Sequence, residues 1–194
     1  MMKQELRRER TKRLLLQATE EVIREKGCAR ATIQDIMERS GLSKGGIFHY
    51  VKSKDELFAM VLQEWIHDAD MRFRKAIAEK EDKFFGPLDE IIARTQELES
   101  RDDAGNQVLM YLLGRSHQEK VRKVLQGFYE QTLQISTKWI VEGQKAGVIP
   151  ETIEADKTAE LFVLIALGMR MRSSAGIKGA AFGSEDFAAL MARL

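Results

Sequence analysis

The chain has 194 residues, of which 44% are hydrophobic, as expected of one or two globular domains and not of a disordered or fibrous protein. Its longest apolar run, 161–169, has nine residues, whereas about 20 are needed to cross a bilayer, so we expect no membrane partner. Because Cys28 is the single cysteine, an internal disulfide is excluded. With no signal peptide expected either, the predicted location is cytoplasmic.

The net charge of +1 conceals an asymmetry along the chain. Residues 1–54 carry thirteen Lys and Arg against seven Asp and Glu, a net +6, while the rest of the chain is net −5. A basic head on an acidic body favours an anionic partner for the head. The alternative is that the basic residues form a solvated charged face with no partner, which would show the same excess of Lys and Arg.

Helical periodicity runs through nearly the whole chain, and its two prolines, Pro87 and Pro150, lie between helix-like segments. The predicted helices are 4–26, 33–39, 44–50, 54–80, 88–99, 106–116, 119–146, 155–173 and 184–193. We therefore expect an all-α fold. A three-helix domain with a helix-turn-helix is predicted over 1–53, followed by a helical domain over 54–194.

Residues 32–58 have the layout of a helix-turn-helix. Thr32 and Ser43 stand where hydroxyls cap the starts of two short helices, and they place free helix N–H groups where phosphates would lie. Gly41 can take the positive φ of the tight turn between those helices. In such a unit the second helix fits the DNA major groove.

The side chains predicted on the outward face of the second helix suit a nucleic acid. Lys44 supplies a cation, Gly45 leaves the backbone open, and His49 and Tyr50 are rings with polar tips. Lys54, at the start of the next helix, is expected to touch the DNA backbone from the other side.

The opposite face of that helix is expected to pack inward. Ile47, Phe48 and Val51 are predicted to pack against the two preceding helices. Two glycines near the helix start, Gly45 and Gly46, lower helix stability. They make room either for something that approaches the backbone or for a close helix–helix contact.

The ordered motif over 32–58 resembles the DNA-binding domain of the TetR family of bacterial regulators. The residues that carry the resemblance are Thr32, Ser40-Gly41-Leu42-Ser43, Lys44-Gly45, Ile47-Phe48-His49-Tyr50-Val51 and Ser53-Lys54-Asp55-Glu56-Leu57. It covers the first quarter to third of the chain. Phe48 stands where the family usually has Tyr, which removes one hydroxyl contact to phosphate, and Val51 stands where Phe is usual.

The resemblance implies a ligand-responsive regulator, most simply a repressor, that binds a palindromic double-stranded operator as a dimer through the helix-turn-helix at 33–50. The expected DNA contacts are Thr32, Gln34, Ser43, Lys44, Gly45, Phe48, His49, Tyr50 and Lys54. Among these, Phe48 is expected to act by core or groove packing because it lacks a hydroxyl. Changes at Gln34, Gly45 or His49 are expected to alter sequence preference.

The segment 159–171 is apolar nearly all round a helix and must be covered on more than one side. A second copy of the same surface is the simplest cover, and a central helix within one subunit is the alternative. The predicted dimer interface is Leu161, Leu164, Ile165 and Gly168.

An unknown small-molecule effector is expected in the C-terminal part of the chain. The candidate lining residues are Trp65, Met110, Tyr111, Phe128 and Trp139. Ordinary core packing explains the same spacing of aromatics, and nothing in the sequence fixes the charge or shape of a ligand.

Catalytic motifs such as G-x-S-x-G, H-E-x-x-H and C-x-x-C do not occur, so we expect no enzyme, no cofactor and no metal site. Cys28 fits a buried structural role better than a thiol sensor. The alternative function is a helical small-molecule carrier or protein-interaction module with a basic N-terminal head. Glycines, His and Tyr over 44–54 argue against a membrane-surface helix.

Overall fold

A computed structural model of the protein describes residues 2–78, 99–145, 147, 149–191 and 193. The helices of this part of the chain are α1 (Met2–Arg30), α2 (Ile33–Ser40), α3 (Lys44–Phe48), α4 (Lys54–Ala78), α5 (Ala104–Leu113), α6 (Glu119–Lys145), α7 (Ala155–Ser174) and α8 (Ser184–Met191). No strand is present among these residues, and the predicted all-α fold is confirmed. Apart from Glu99, the helix predicted over 88–99 lies outside the described residues, as do residues 79 and 80.

The described residues fall into two compact units. The first comprises Met1–Trp65 and Asp102–Leu125, and the second comprises Ile66–Arg101 and Gln126–Leu194. The boundaries of these compact units do not coincide with the functional boundary expected between residues 53 and 54, which stays a prediction. None of the described helices is long and apolar enough to span a membrane.

Helix α1 extends past its predicted end, although Gly27 marks a break there. Gly27 has φ 74° and ψ 156°, a conformation that L side chains rarely adopt, and one more turn follows it to Arg30. Three ion pairs connect α1 to neighbouring helices of the first unit. The guanidinium of Arg39 on α2 pairs with Glu21 and Glu25, and the ammonium of Lys12 lies 2.7 Å from Glu64 on α4.

The first unit has a close-packed apolar core. Its fully buried members come from every helix of the unit's N-terminal part, and they include Leu15, Ile23, Ile36, Ile47, Leu57 and Phe58. Burying a side chain of this size stabilises the fold by roughly 1.5–3 kcal/mol. Helix α2 packs against both α1 and α3.

The second unit buries one face of α7. Ala159, Val163 and Met169 are buried there. Elsewhere in this unit the ring of Phe73 stacks on Trp139 at a centroid distance of 4.3 Å, and Trp139 Nε1 donates to Asp70 Oδ1 at 3.4 Å.

Candidate nucleic-acid interface

The start of α2 is held by a reciprocal capping arrangement. Asp35 N–H donates to Thr32 Oγ1 at 3.1 Å, and the Thr32 N–H and hydroxyl both donate to Asp35 Oδ2, at 2.9 and 2.8 Å. The Lys26 ammonium, 2.7 Å from Asp35 Oδ1, together with Thr32 lowers the pKa of Asp35 to about 2. The cap predicted at Thr32 is confirmed, and its hydroxyl hydrogen is already donated within the protein.

The turn between α2 and α3 has the predicted construction. Gly41 adopts φ 68°, and its N–H donates to the Met37 carbonyl at 2.9 Å. Ser43 then caps α3, because its Oγ accepts the Gly46 N–H at 3.1 Å. Two helices joined by three residues in this way form a helix-turn-helix.

The start of α3 is open to an approaching partner. Lys44 and Gly45 are exposed, and a Cβ placed on Gly45 would meet nothing within 4 Å. In contrast, a Cβ on Gly46 would lie 3.3 Å from Ser43 Oγ. Gly46 is therefore explained by packing within the protein, whereas the space beside Gly45 is available to a partner.

Phe48 corrects one sequence expectation. It was expected to face inward with Ile47 and Val51, but its exposed fraction is 39%, while Ile47 is fully buried and Val51 is buried. Because α3 ends at Phe48 and successive residues of a helix point about 100° apart, burial of Ile47 turns its neighbour outward. The sequence alone did not show that α3 ends before Tyr50.

Tyr50 lies at the edge of the exposed surface. Its hydroxyl donates to the backbone carbonyl of Arg8 on α1 at 3.2 Å, and its ring meets exposed His49 edge-on at 5.4 Å. This contact brings exposed Arg8 beside the helix-turn-helix. Arg8 was not among the DNA contacts predicted from the sequence, although the cluster of basic residues near the N-terminus could have indicated it.

Two further predicted contact residues already have partners within the protein. Gln34 is exposed on α2, and its Nε2 donates to Glu38 Oε1 at 2.9 Å. The Lys54 ammonium points to the end of α1, where it donates to the Cys28 and Ala31 carbonyls at 3.0 Å each. A direct DNA contact by either side chain stays a prediction.

The predicted effector residues are divided between the two compact units. Trp65, Met110 and Tyr111 belong to the first unit, and Phe128 and Trp139 belong to the second. The Tyr111 ring meets Phe58 edge-on at 5.5 Å. Burial, followed by the nearby Asp55 carboxylate, raises the pKa of Tyr111. The proposed lining of one cavity by all five residues remains untested.

The potential metal ligands and the cysteine thiol of the described residues were also compared with what a metal site or a reactive thiol requires. No three His, Cys, Asp or Glu side chains of the described part of the chain lie together as metal ligands would. Cys28 is buried, and this burial raises the pKa of its thiol to about 12. The thiol is therefore protonated at neutral pH and a poor nucleophile, as a structural cysteine is expected to be.

A capped helix-turn-helix with an exposed, basic second helix, set in an all-helical chain, defines the class of helix-turn-helix DNA-binding proteins. Residues 15–61 match the family described as bacterial regulatory proteins, tetR family. An uncharacterized HTH-type transcriptional regulator of Bacillus subtilis, YfiR, is 29% identical over 62 residues. That match spans 32% of this chain and 30% of the relative, so it concerns only about a third of each protein.

Several solved structures share the fold over nearly the whole chain. GusR of Salmonella enterica aligns over 95% of this chain and 94% of its own, with a TM-score of 0.64 at 17% identity. NemR of E. coli, in its reduced form, aligns over 94% of this chain and 96% of its own, with a TM-score of 0.67 at 16% identity. TetR of Rhodobacter sphaeroides aligns over 93% of this chain and 96% of its own, with a TM-score of 0.67 at 17% identity. Because the sequence identities are this low, the structural similarity shows a common fold and no more.

The matched segment, residues 15–61, contains all of α2 and α3, so the helix-turn-helix of this chain is similar to that of the bacterial regulatory proteins of the tetR family.

Proposed function

We propose that this protein is a transcriptional repressor that binds a palindromic operator as a homodimer and releases it in response to a small-molecule effector. The observation that carries the proposal is the outward face of α3. Lys44, Gly45, Phe48 and His49 are exposed there around a fully buried Ile47. A cation, an open backbone position and two exposed rings on α3 and its C-terminal cap can contact phosphates and base edges in a major groove.

Each group on this surface has a distinct proposed task. Lys44 neutralises a phosphate, and Gly45 lets the backbone come close to the DNA. His49 hydrogen-bonds a base edge, while Phe48 makes an apolar contact such as one with a thymine methyl. Ser43 Oγ already accepts the Gly46 N–H, but its own hydrogen is free to donate to a phosphate oxygen.

The flanking residues extend the same surface. Arg8 adds a second cation beside Tyr50, whose hydroxyl holds that turn of α1 in place. Gln34 can exchange its exposed bond to Glu38 for a base or phosphate contact. Thr32 is a weaker candidate, because a phosphate would have to compete with the Asp35 carboxylate for the Thr32 hydroxyl.

The exposed face of α7 supports the homodimer. Leu161, Leu164 and Met171 are 49%, 54% and 56% exposed, and Gly168 between them is also exposed. These positions recur at steps of three and four, so they form one apolar stripe. Ile165 is half-buried beside it. A second copy of the stripe would cover it, and a two-fold dimer presents two recognition helices to half-sites about 34–36 Å apart.

The proposed effector is a small molecule of unknown identity. We place it in the second unit beside Trp139, whose ring stacks on buried Phe73 and whose indole N–H donates to the Asp70 carboxylate, because small-molecule sites combine apolar surface with few polar groups. An effector releases DNA only by binding better to a conformation that binds DNA less well. Compounds that release DNA from the wild type but not from Trp139→Leu would support this location.

Binding to DNA from the region of the protein's own gene tests the function. With about 6–10 phosphate contacts, affinity should fall by 10³–10⁵ between 50 and 200 mM salt. Lys44→Ala should weaken binding to all sequences, whereas His49→Ala should relax sequence preference. Binding that ignores salt, or no protected site at any promoter fragment, would contradict the proposal and favour a carrier or interaction module.

A further inference from the structure

Lys54 is the first residue of α4, and its side chain lies against the end of α1. The ammonium donates to three backbone carbonyls, those of Cys28 at 3.0 Å, Ala29 at 3.4 Å and Ala31 at 3.0 Å. Carbonyls at a helix end lack partners within the helix and carry partial negative charge, so a cation is favoured there. All three hydrogens of the ammonium have acceptors in this arrangement.

Aromatic rings reinforce the position of this cation. The ammonium lies 5.5 Å from the centre of the Phe58 ring and 5.4 Å from that of Tyr111. The Tyr111 ring is itself held, because Arg115 donates to its hydroxyl at 2.9 Å and to Asp55 Oδ2 at 3.0 Å. Moving Lys54 to a phosphate would break these contacts and leave the carbonyls unpaired.

The bonded carbonyls and Lys54 flank the helix-turn-helix in sequence. Ala31 immediately precedes Thr32, the cap of α2, and Lys54 follows the end of α3 by six residues. The start of α4 is fixed as well, since the Lys52 N–H donates to Glu56 Oε2 at 2.6 Å. One ammonium therefore joins the chain that enters α2 to the chain that leaves α3.

We infer that Lys54 is a positioning residue for DNA recognition and not a phosphate contact. It clamps the two ends of the helix-turn-helix, segment 32–53, and so sets the angle at which α2 and α3 meet DNA. This inference rests on the proposed function. It revises the role expected of Lys54 from sequence, where the cation was assigned to the DNA backbone.

Salt dependence separates a clamp from a phosphate contact. Each phosphate contact contributes about −0.9 to the slope of log K against log salt concentration, so losing one contact per protomer reduces the magnitude of the slope for a dimer by about 1.8.

The probes are a random-sequence duplex of about 30 base pairs, long enough for two half-sites one helical turn apart, and a duplex that the wild type selects from a random pool. The variants are Lys54→Met, Lys54→Arg and, as the matched control, Lys44→Met.

The inference predicts that Lys54→Met keeps the wild-type salt slope on both duplexes, while Lys44→Met lowers it. Lys54→Met should lose about tenfold in affinity for the selected duplex, the effect of losing one charged hydrogen bond, and almost none for the random one. Lys54→Arg, which keeps a cation with several donors, should restore the preference. A purely stabilising role would leave the ratio of the two affinities unchanged in folded protein.

Two results would overturn the inference: a salt slope that falls in Lys54→Met as it does in Lys44→Met, or an unchanged ratio of the two affinities. If Lys54→Met does not fold, Lys54→Gln, which keeps an uncharged donor, carries the same comparison. Failure of the proposed function looks different, because the wild type itself would then bind neither duplex at 50 mM salt, where phosphate contacts act most strongly.

Discussion

The helix-turn-helix and the outer face of α7 expose opposite kinds of surface. In the helix-turn-helix, Ile36, Ile47 and Val51 are buried, and most of the exposed groups are polar or charged. On α7, Leu161 and Leu164 are about half exposed, although they lie in the most apolar stretch of the chain.

This difference indicates two different partners. A polar, basic face is stable in water and gains a partner through charge, which suits DNA. A contiguous apolar stripe is unfavourable in water, so its partner must be apolar too, which suits a second copy of the stripe. The predictions below separate the two surfaces, from the largest effect to the smallest.

A charge in the apolar stripe of α7 should have the largest effect. Leu164→Glu places a carboxylate where the second copy would pack, so sedimentation should show a monomer. Because the two half-sites are then no longer bound by one linked molecule, affinity for the selected duplex should fall at least about 100-fold.

Leu113→Glu, at an exposed leucine of α5, is the matched control and should leave a dimer. A Leu164→Glu variant that stays dimeric, or a monomer that binds the duplex with wild-type affinity, would show that α7 is not the interface.

Truncating a core residue of the helix-turn-helix should come next, and it should act on stability. Ile36 is fully buried, so Ile36→Ala should lower the free energy of unfolding by about 2–4 kcal/mol in urea titrations. Phe48→Ala, in the same unit but at an exposed position, should change stability by only about 0.5 kcal/mol or less. Phe48→Ala should instead weaken DNA binding, and equal losses of stability in the two variants would contradict the outward position of Phe48.

A base contact should show in selectivity more than in affinity. His49→Ala should cost about 1–3 kcal/mol of discrimination at one position of each half-site, measured by binding a set of single-base variants of the selected duplex. Lys120→Ala, at an exposed cation on α6, serves as the control and should leave all these ratios unchanged. His49 has no role in base recognition if its variant shows the wild-type ranking of sequences.

The smallest effect concerns acid stability. The pKa of Asp35 is lowered from 3.8 to about 2 in the folded protein, so its contribution to stability is present above the unfolded pKa and is lost as the pH falls through the folded pKa. The difference in stability between the wild type and Asp35→Asn should be constant above about pH 5 and shrink between pH 4 and pH 2.

Urea midpoints measured across this pH range test the Asp35 prediction. Asp68→Asn, at an exposed carboxylate of α4, is the control. A difference between wild type and Asp35→Asn that stays constant down to pH 2 would mean that the capping carboxylate is not stabilised by folding.

Local signals allowed much of the first unit to be predicted. The caps at Thr32 and Ser43 and the turn at Gly41 depend on neighbours within four residues, so their residue types suffice to place them. The contacts from Tyr50 to Arg8 and from Lys54 to Ala31 join residues 42 and 23 positions apart. Such contacts depend on how helices pack, and residue type alone assigned both side chains to DNA.

The pattern on α7 was predictable only in part. Helical periodicity shows that the segment is apolar on all sides, but it does not show which side the subunit buries. The structure buries Val163 and exposes Leu164, and this choice defines the face proposed for the second copy.

The most direct test of the central claim is selection of DNA from a random pool by the purified full-length protein. Because a two-fold dimer presents two copies of α3, the enriched sequences should be palindromes whose half-sites are centred about 10–10.5 base pairs apart, or a multiple of that spacing. Enrichment of such a palindrome by the wild type, and its loss in Leu164→Glu, is the predicted result. Enrichment of no sequence, or of single half-sites without two-fold symmetry, would contradict the account.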